Sequence, residues 1–233
     1  MQQGNLYLIP ITIAENATHT IPAFTREIIE QTNIYIVENI KTARRFIKSI
    51  FKEKNIDECV FVELDKHTNY KFDDTILSEI FNGKNIGLMS EAGTPCIADP
   101  GNKVVEIAHE MNIKVIPLVG PSSILMALMA SGFNGQQFTF NGYLPIEQNE
   151  RKSKLQQMEN FAKKGSTQIF MDTPYRNQKL LDEIISYCKF DTMLCIAANV
   201  TAKDEFIQTL PLAEWKKQKP NIHKKPVIFV FGK

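Results

Sequence analysis

Short apolar runs alternate with helical periodicity through the first half of the chain. Leu6 to Thr12, Asn33 to Val37, Cys59 to Leu64 and Ile86 to Met89 are rich in β-branched and aromatic residues and nearly uninterrupted, as buried strands of a parallel sheet are. Three-to-four spacing of apolar positions predicts helices near Ile21 to Gln31, Lys41 to Lys54 and Asp74 to Asn82 between them. A helix from Asn102 to Met111, a strand from Lys114 to Val119 and a helix from Ser122 to Ser131, stopped by Gly132, follow. Strand and crossover helix in this rhythm predict a largely parallel sheet.

The second half reads differently. Its strands, Gln137 to Asn141, Thr167 to Met171, Thr192 to Val200, Glu205 to Leu210 and Val227 to Phe231, are longer and alternate more clearly. With helices near Gln148 to Lys164, Arg176 to Lys189 and Leu212 to Gln218, they predict a mixed sheet with antiparallel pairs. Gly120-Pro121 is the expected hinge, dividing an N-terminal α/β lobe, 1–119, from a C-terminal α/β lobe, 120–233.

Charge changes this picture only locally. The 27 Lys and Arg nearly balance the 26 Asp and Glu, so no global field argues for a nucleic acid or an acidic ligand. Lys41, Arg44, Arg45, Lys48 and Lys52 nevertheless recur opposite Ile40, Ala43, Ile47 and Ile50, giving one helix a cationic face: a solvated surface or a phosphate contact. A second basic group, Lys216, Lys217, Lys219, His223, Lys224 and Lys225, precedes the last strand and could join the first in tracking an RNA backbone. The four cysteines lack C-x-x-C spacing and read as reduced core thiols, and the four histidines show no ligand spacing, so no metal is expected. No apolar run reaches membrane-span length and no signal-peptide pattern opens the sequence, which places the chain in the cytoplasm.

The densest chemistry is Ser90-Glu91-Ala92-Gly93-Thr94-Pro95-Cys96-Ile97-Ala98-Asp99-Pro100-Gly101, a tight loop where a strand hands over to a helix. Open α/β sheets bind ligands at such carboxyl ends. Asp99 is expected to cap the next helix, with Pro100 at its first position. Glu91, a carboxylate inside a Gly/Pro loop, has little structural reason to be there.

This run resembles the S-D-A-G-T-P-x-I-S-D-P-G signature of the ribosomal RNA small-subunit 2′-O-methyltransferase I family, within the tetrapyrrole methylase superfamily. Val119-Gly120-Pro121-Ser122-Ser123, Phe140-Asn141-Gly142-Tyr143-Leu144-Pro145 followed by Arg151 and Lys152, Asp172-Thr173-Pro174-Tyr175-Arg176, and the strand Pro226 to Gly232 resemble its further segments in the same order. The resemblance implies a two-lobed tetrapyrrole-methylase-like fold with S-adenosylmethionine in the interlobe cleft, a homodimer, and ribosomal RNA or the small subunit as partner. By motif, the cofactor site maps onto Pro10, Ser90, Glu91, Gly93, Thr94, Ile97, Ala98, Ser122, Tyr143 and Leu144, with Ala197, Asn199 and Val227 from the last strands. Plainer readings stand beside several: Pro10 ends a strand, Ser122 or Ser123 caps a helix, and Tyr143 and Leu144 belong to the core. Glu91 is the first candidate proton acceptor, with Asp65 and Lys203 behind it; Lys41, Arg44, Arg45 and Arg176 are candidate substrate contacts, Arg176 being equally a helix-start residue.

The chain also departs from the family pattern. The first loop, Ile9-Pro10-Ile11-Thr12-Ile13-Ala14-Glu15-Asn16, lacks the family's glycine; Val37-Glu38-Asn39-Ile40-Lys41 keeps only the glutamate of A-E-D-T-R; Ala198-Asn199-Val200-Thr201-Ala202 keeps only the threonine of R-E-L-T-K. Family members usually continue beyond the last strand, where this sequence stops at Lys233. The losses fall on charged groups rather than on the glycine and proline framework. They fit a shortened, divergent paralogue that keeps the cofactor and acts poorly on a naked small-subunit cytidine. The leading expectation is a methyltransferase acting on ribosomal RNA ribose; the alternatives are a corrin or porphyrin methylase and a non-catalytic paralogue that binds S-adenosylmethionine or RNA.

Overall fold

The computed structural model describes residues 3–64 and 74–233, which form two compact units, Met1–Ser122 and Ser123–Lys233. In the first, β1 (Leu6–Leu8), β2 (Ile34–Val37), β3 (Val60–Glu63), β4 (Ile86–Met89) and β5 (Val115–Pro117) make a wholly parallel sheet in the order β3-β2-β4-β1-β5. Alternation along each strand sends side chains to two faces. Tyr7, Tyr35, Val37 and Met89 pack under α1 (Ala23–Gln31) and α2 (Ile40–Ile50), against Ile28, Ile29, Phe46 and Ile47. Leu6, Ile34, Ile36, Ile86 and Leu88 pack on the other face against Val104 and Ala108 of α4 (Asn102–Glu110) and Ile76 and Ile80 of α3 (Asp74–Phe81). Full burial of aliphatic side chains on both faces contributes about 2 kcal/mol apiece, which is why these strands read as continuous apolar runs.

Three local differences from the sequence expectation have physical causes. β1 ends at Leu8 rather than Thr12, because Pro10 has no N–H to extend a ladder; the apolar run continues instead against the loop after β4, with Ile9 N donating to Leu88 O (2.8 Å) and Ile11 N to Gly93 O (2.9 Å). α2 stops at Ile50, and Lys54 turns back so that its Nζ donates to the carbonyls of Ile29, Glu30 and Thr32 and to Asn33 Oδ1, neutralising the carboxyl end of α1. Asp99 does not cap α4. Gly101 holds the cap position at φ 128°, a conformation open to glycine, so Pro100 is not the first helical position and the helix begins at Asn102, where its apolar periodicity begins.

The second unit is a mixed sheet in the order β6-β7-β10-β8-β9, built from β6 (Phe138–Tyr143), β7 (Thr167–Met171), β8 (Met193–Ala198), β9 (Phe206–Pro211) and β10 (Val227–Gly232). Only β6 and β7 pair in parallel; the other pairs are antiparallel. α6 (Gln148–Lys163), α7 (Asn177–Tyr187) and α8 (Leu212–Lys217) supply Leu155, Met158, Leu181, Ile184 and Trp215 to one face, over Phe170, Phe229 and Phe231. The Trp215 Nε1 donates to Leu194 O at 2.9 Å, so its one polar atom is satisfied in the core. α5 (Ser123–Ser131) crosses the opposite face over β8, β9 and β10. No helix among the described residues is long and apolar enough to cross a membrane.

Candidate functional site

In the first unit β1 and β4 are neighbours, yet β1 leads into α1 on one face and β4 into α4 on the other. Their carboxyl ends therefore form a topological switch point, where departing connections leave a crevice. The loop 90–101 begins there. It bends through four residues of positive φ: Gly93 (69°), Cys96 (68°), Ala98 (62°) and Gly101 (128°). Left-handed backbone at Cys96 and Ala98 costs roughly 1–2 kcal/mol each and is sustained only where the surroundings fix it.

Packing fixes it. A Cβ on Gly93 would lie 2.9 Å from Ile13 Cγ2 and 3.2 Å from Pro121 O, and one on Gly120 would lie 2.2 Å from Pro10 Cγ. The loops after β1, β4 and β5 thus interlock through Pro10, Gly93 and Gly120-Pro121. Pro10 is buried in that joint, as is Ser90, whose Oγ donates to Ala92 O at 3.4 Å. Thr94 is partly exposed, Ala98 is exposed, and Ile97 and Val119 are 52% and 76% exposed, apolar surface presented to solvent beside polar groups. Ser122 is 9% exposed at the end of the unit.

Carboxylates gather at the same edge. Glu91 is exposed and accepts a hydrogen bond from Thr42 Oγ1 at 3.3 Å, which ties the loop to the first turn of α2. Asp99 is half-buried; loss of solvent, then the charge of Glu38 and that of Glu91, push its carboxyl up to about 6, against a hydrogen bond from Ser90 that favours the ionised form. The local sequence suggests only a helix cap at Asp99. The available signal was an aspartate between turn residues at a strand's carboxyl end; the approach of Glu38, from the end of β2, was not readable. Asp65 lies outside the described residues.

The second unit gathers its expected residues by topology. β6 and β7 are parallel, and β10 runs antiparallel to both β7 and β8, so the carboxyl ends of β6, β7 and β8 and the start of β10 share one sheet edge. Tyr143 and Leu144 leave β6 there, Arg176 follows β7, Asn199 follows β8, and Val227 opens β10. A register shift between Phe140 and Tyr143, containing Gly142 at φ 64°, bulges β6 and leaves Tyr143 58% exposed. Leu144, Ala197 and Val227 are buried, so their side chains belong to the core, as the plainer reading of Leu144 had it. Arg151 anchors the segment after Leu144: its Nε and Nη2 pair bidentately with Glu183 at 2.6 and 2.8 Å, while Nη1 donates to the carbonyls of Pro145 and Ile146.

Arg176 ion-pairs back to Asp172 at 2.5 Å, yet its Nε is buried with no hydrogen-bond partner, as are Asn177 Oδ1 and Thr201 Oγ1. All three unpaired atoms lie in segments following β7 and β8. Thr201 also holds φ at 71°, an outlier for a β-branched residue, and Asn199 (φ 49°) bonds Asp204 through Nδ2. Lys203 is exposed beside them.

The two basic groups separate clearly. Lys217 pairs with Glu214, Lys219 with Asp182 and Lys225 with Asp204, while Lys216 and Lys224 lie over the rings of Phe190 and Tyr175. Three of its five lysines are thus neutralised by carboxylates, and the other two are held over rings. On α2, Arg44 is paired to Asp57 at 2.6 Å and lies over Phe61, whereas Lys41 and Arg45 are exposed without a partner among the described residues. No group of three or more His, Cys, Asp or Glu among the described residues is arranged to hold a metal ion.

A sequence profile for Tetrapyrrole (Corrin/Porphyrin) Methylases matches residues 19–216. The chain is similar to Ribosomal RNA small subunit methyltransferase I of Buchnera aphidicola from Schizaphis graminum, 31% identical over 230 residues, covering 97% of this chain and 77% of that protein. It is similar to the protein of the same name from Vibrio cholerae, 30% identical over 209 residues, covering 90% and 69%. In structure it resembles uroporphyrin-III-C-methyltransferase from Thermus thermophilus, with a TM-score of 0.58 and 12% identity over 99% of this chain and 94% of that one, a likeness of fold.

Proposed function

Because this chain belongs to the ribosomal RNA small subunit methyltransferase I family of the tetrapyrrole (corrin/porphyrin) methylases, we propose that it transfers a methyl group from S-adenosylmethionine to ribosomal RNA, at the ribose 2′-oxygen of a small-subunit cytidine or a related site. One observation carries the reading: at the β1/β4 switch point a strained, interlocked loop places carboxylates beside exposed aliphatic side chains. That combination fits a ligand with a cationic sulfur and an apolar, planar base. Ile97 and Val119 would lie against the base, and Asp99 and Glu91 would favour the positive charge. Main-chain groups of Gly93, Thr94 and Ala98 would fix orientation. Taken by itself, the carboxyl edge of the second unit's sheet is proposed as a further contact surface for the cofactor, through Tyr143, Asn199, Thr201 and the residues Leu144, Ala197 and Val227 expected from the family resemblance; the unpaired atoms following β7 and β8 support it.

When bound, S-adenosylmethionine supplies a methyl group on a sulfur that is already a leaving group. The chain's own residues then have two tasks. The first is positioning, which can contribute several powers of ten in rate without any acid or base. The second is taking the ribose hydroxyl proton. Glu91 is held in direction by Thr42 and is the first candidate acceptor; Asp99, whose carboxyl is more basic than an ordinary aspartate, stands beside it as a second. Lys203 remains the candidate from the second unit.

The chain is further proposed to work in the cytoplasm as a homodimer, a state supported by Leu125 and Met129, 50% and 82% exposed one turn apart on α5. The test of function is transfer of tritium from labelled S-adenosylmethionine into small ribosomal subunits from a strain lacking the protein, followed by nucleoside digestion. Label in 2′-O-methylcytidine is expected, and Glu91→Gln should lower turnover more than cofactor affinity. Tight cofactor binding with no label in RNA would reject the reading.

A further inference from the structure

α2 carries charge against its own interest. The helix Ile-Lys-Thr-Ala-Arg-Arg-Phe-Ile-Lys-Ser-Ile has four cations and no carboxylate. Lys41 and Arg45, and Arg44 and Lys48, are like charges four residues apart, and each such pair destabilises a helix by about 0.2–0.5 kcal/mol. Lys41 also lies in the first turn, at the positive end of the helix dipole, where a cation is unfavourable. Soluble surfaces commonly intersperse both signs, as Glu214 and Lys217 do on α8 and as Lys219 and Lys225 do with Asp182 and Asp204 beyond it.

The charges are also placed. Ala43, Phe46 and Ile47 bury one face of α2, which leaves Lys41, Arg45 and Lys48 exposed on the other, a stripe of about 10 Å along the axis. Its upper end is fixed to the candidate site, because Thr42 in the first turn donates to Glu91. Arg44 is withdrawn from the stripe by Asp57, and Lys48 Nζ reaches Lys52 O at 2.7 Å, which leaves its charge at the surface.

We propose that the exposed face of α2 binds the phosphodiester backbone of the RNA acceptor and leads it to the carboxyl edge of the first unit's sheet. The proposal rests on the reading of the chain as an RNA methyltransferase and adds the surface that takes the substrate. Contact is through phosphate, so it is independent of base sequence and sensitive to salt. The carboxylates at the sheet edge repel phosphates, so the strand is held by α2 rather than by the site itself.

The test measures binding of a fluorescein-labelled single-stranded RNA of small-subunit sequence by anisotropy between 50 and 300 mM salt. The triple variant Lys41→Gln/Arg45→Gln/Lys48→Gln is compared with Lys114→Gln/Lys164→Gln/Lys189→Gln, which removes the same charge from exposed lysines elsewhere. The α2 variant is expected to bind RNA at least tenfold more weakly, with the slope of log K against log salt reduced by about 2; the control should keep both. Calorimetry should give unchanged S-adenosylmethionine affinity, and circular dichroism an undiminished melting temperature, which excludes unfolding. Equal RNA binding by both variants overturns the proposal, as does binding of wild type to anionic lipid vesicles with none to RNA. If wild type methylates RNA while the α2 variant binds normally, this inference fails alone; if RNA binding needs α2 but no methyl is transferred, the methyltransferase reading fails and α2 remains an RNA-binding face with no acceptor to deliver.

Discussion

Asp99 offers the sharpest quantitative test, because its environment opposes its charge. Burial and the neighbouring Glu38 and Glu91 raise its pKa from 3.8 to about 6. Each tenfold change in proton affinity is worth about 1.4 kcal/mol, so a displacement of that size corresponds to about 3 kcal/mol of unfavourable ionisation in the folded chain. The side chain is half-buried, and solvent screening reduces the figure to about 1.5 kcal/mol. The folded chain binds this proton more tightly than the unfolded chain does. Stability is therefore highest below about pH 4 as far as this group is concerned, falls as the pH rises from about 4 to 6, and stays low above. Asp99→Asn removes the charge and keeps the shape. In urea unfolding of the free protein, the variant is expected to be about 1.5 kcal/mol more stable than wild type at pH 7.5, with the advantage shrinking toward zero at pH 4. A variant that is less stable than wild type at pH 7.5, or a difference that does not change with pH, would show that Asp99 is satisfied as an anion and that the crowding of carboxylates is not felt.

Three further outcomes follow from the same geometry. A cationic cofactor beside Asp99 lowers its proton affinity, so binding of S-adenosylmethionine at pH 6 should release roughly half a proton, measured by calorimetry in two buffers of different ionisation heat; zero release would detach Asp99 from the cofactor. Thr201→Gly relieves a left-handed threonine, so thermal unfolding should show no loss of stability and up to about 1 kcal/mol of gain, where a glycine normally weakens a chain; a clear loss would mean that the Thr201 methyl packing outweighs the strain. Arg151→Met leaves the buried Glu183 with only Lys179, 4.0 Å away, and frees the carbonyls of Pro145 and Ile146, and should destabilise by about 3 kcal/mol in denaturant titration; a change below about 1 kcal/mol would refute the structural role assigned to that pair.

How much of this was legible in the sequence depended on range. Runs such as Ile34–Val37 and Ile86–Met89, buried on both faces, declare a parallel sheet, and the alternating strands of the second half declare a mixed one. The loop 90–101 stood out because glycine and proline cluster where a strand ends. What stayed hidden was set by partners far along the chain. The neutralisation of Lys219 by Asp182 and of Lys225 by Asp204 joins residues 37 and 21 positions apart, so the second basic group looked as free as the first. The proton affinity of Asp99 depends on Glu38, brought up by the pairing of β2 with β4. The local pattern around Lys54 continues α2, and only the carboxyl end of α1, distant in sequence, explains why the side chain turns away.

Strand order has a consequence for synthesis. β1 is hydrogen-bonded to β4 and β5 and to no strand made near it, so the first strand to emerge must wait for about 80 further residues before either ladder can form. β10 poses the mirror problem, since it sits between β7 and β8 and is the last of those strands to leave the ribosome. Each sheet therefore closes late in translation, and until its central strand arrives the strands already made present unpaired edges of the kind that favours aggregation.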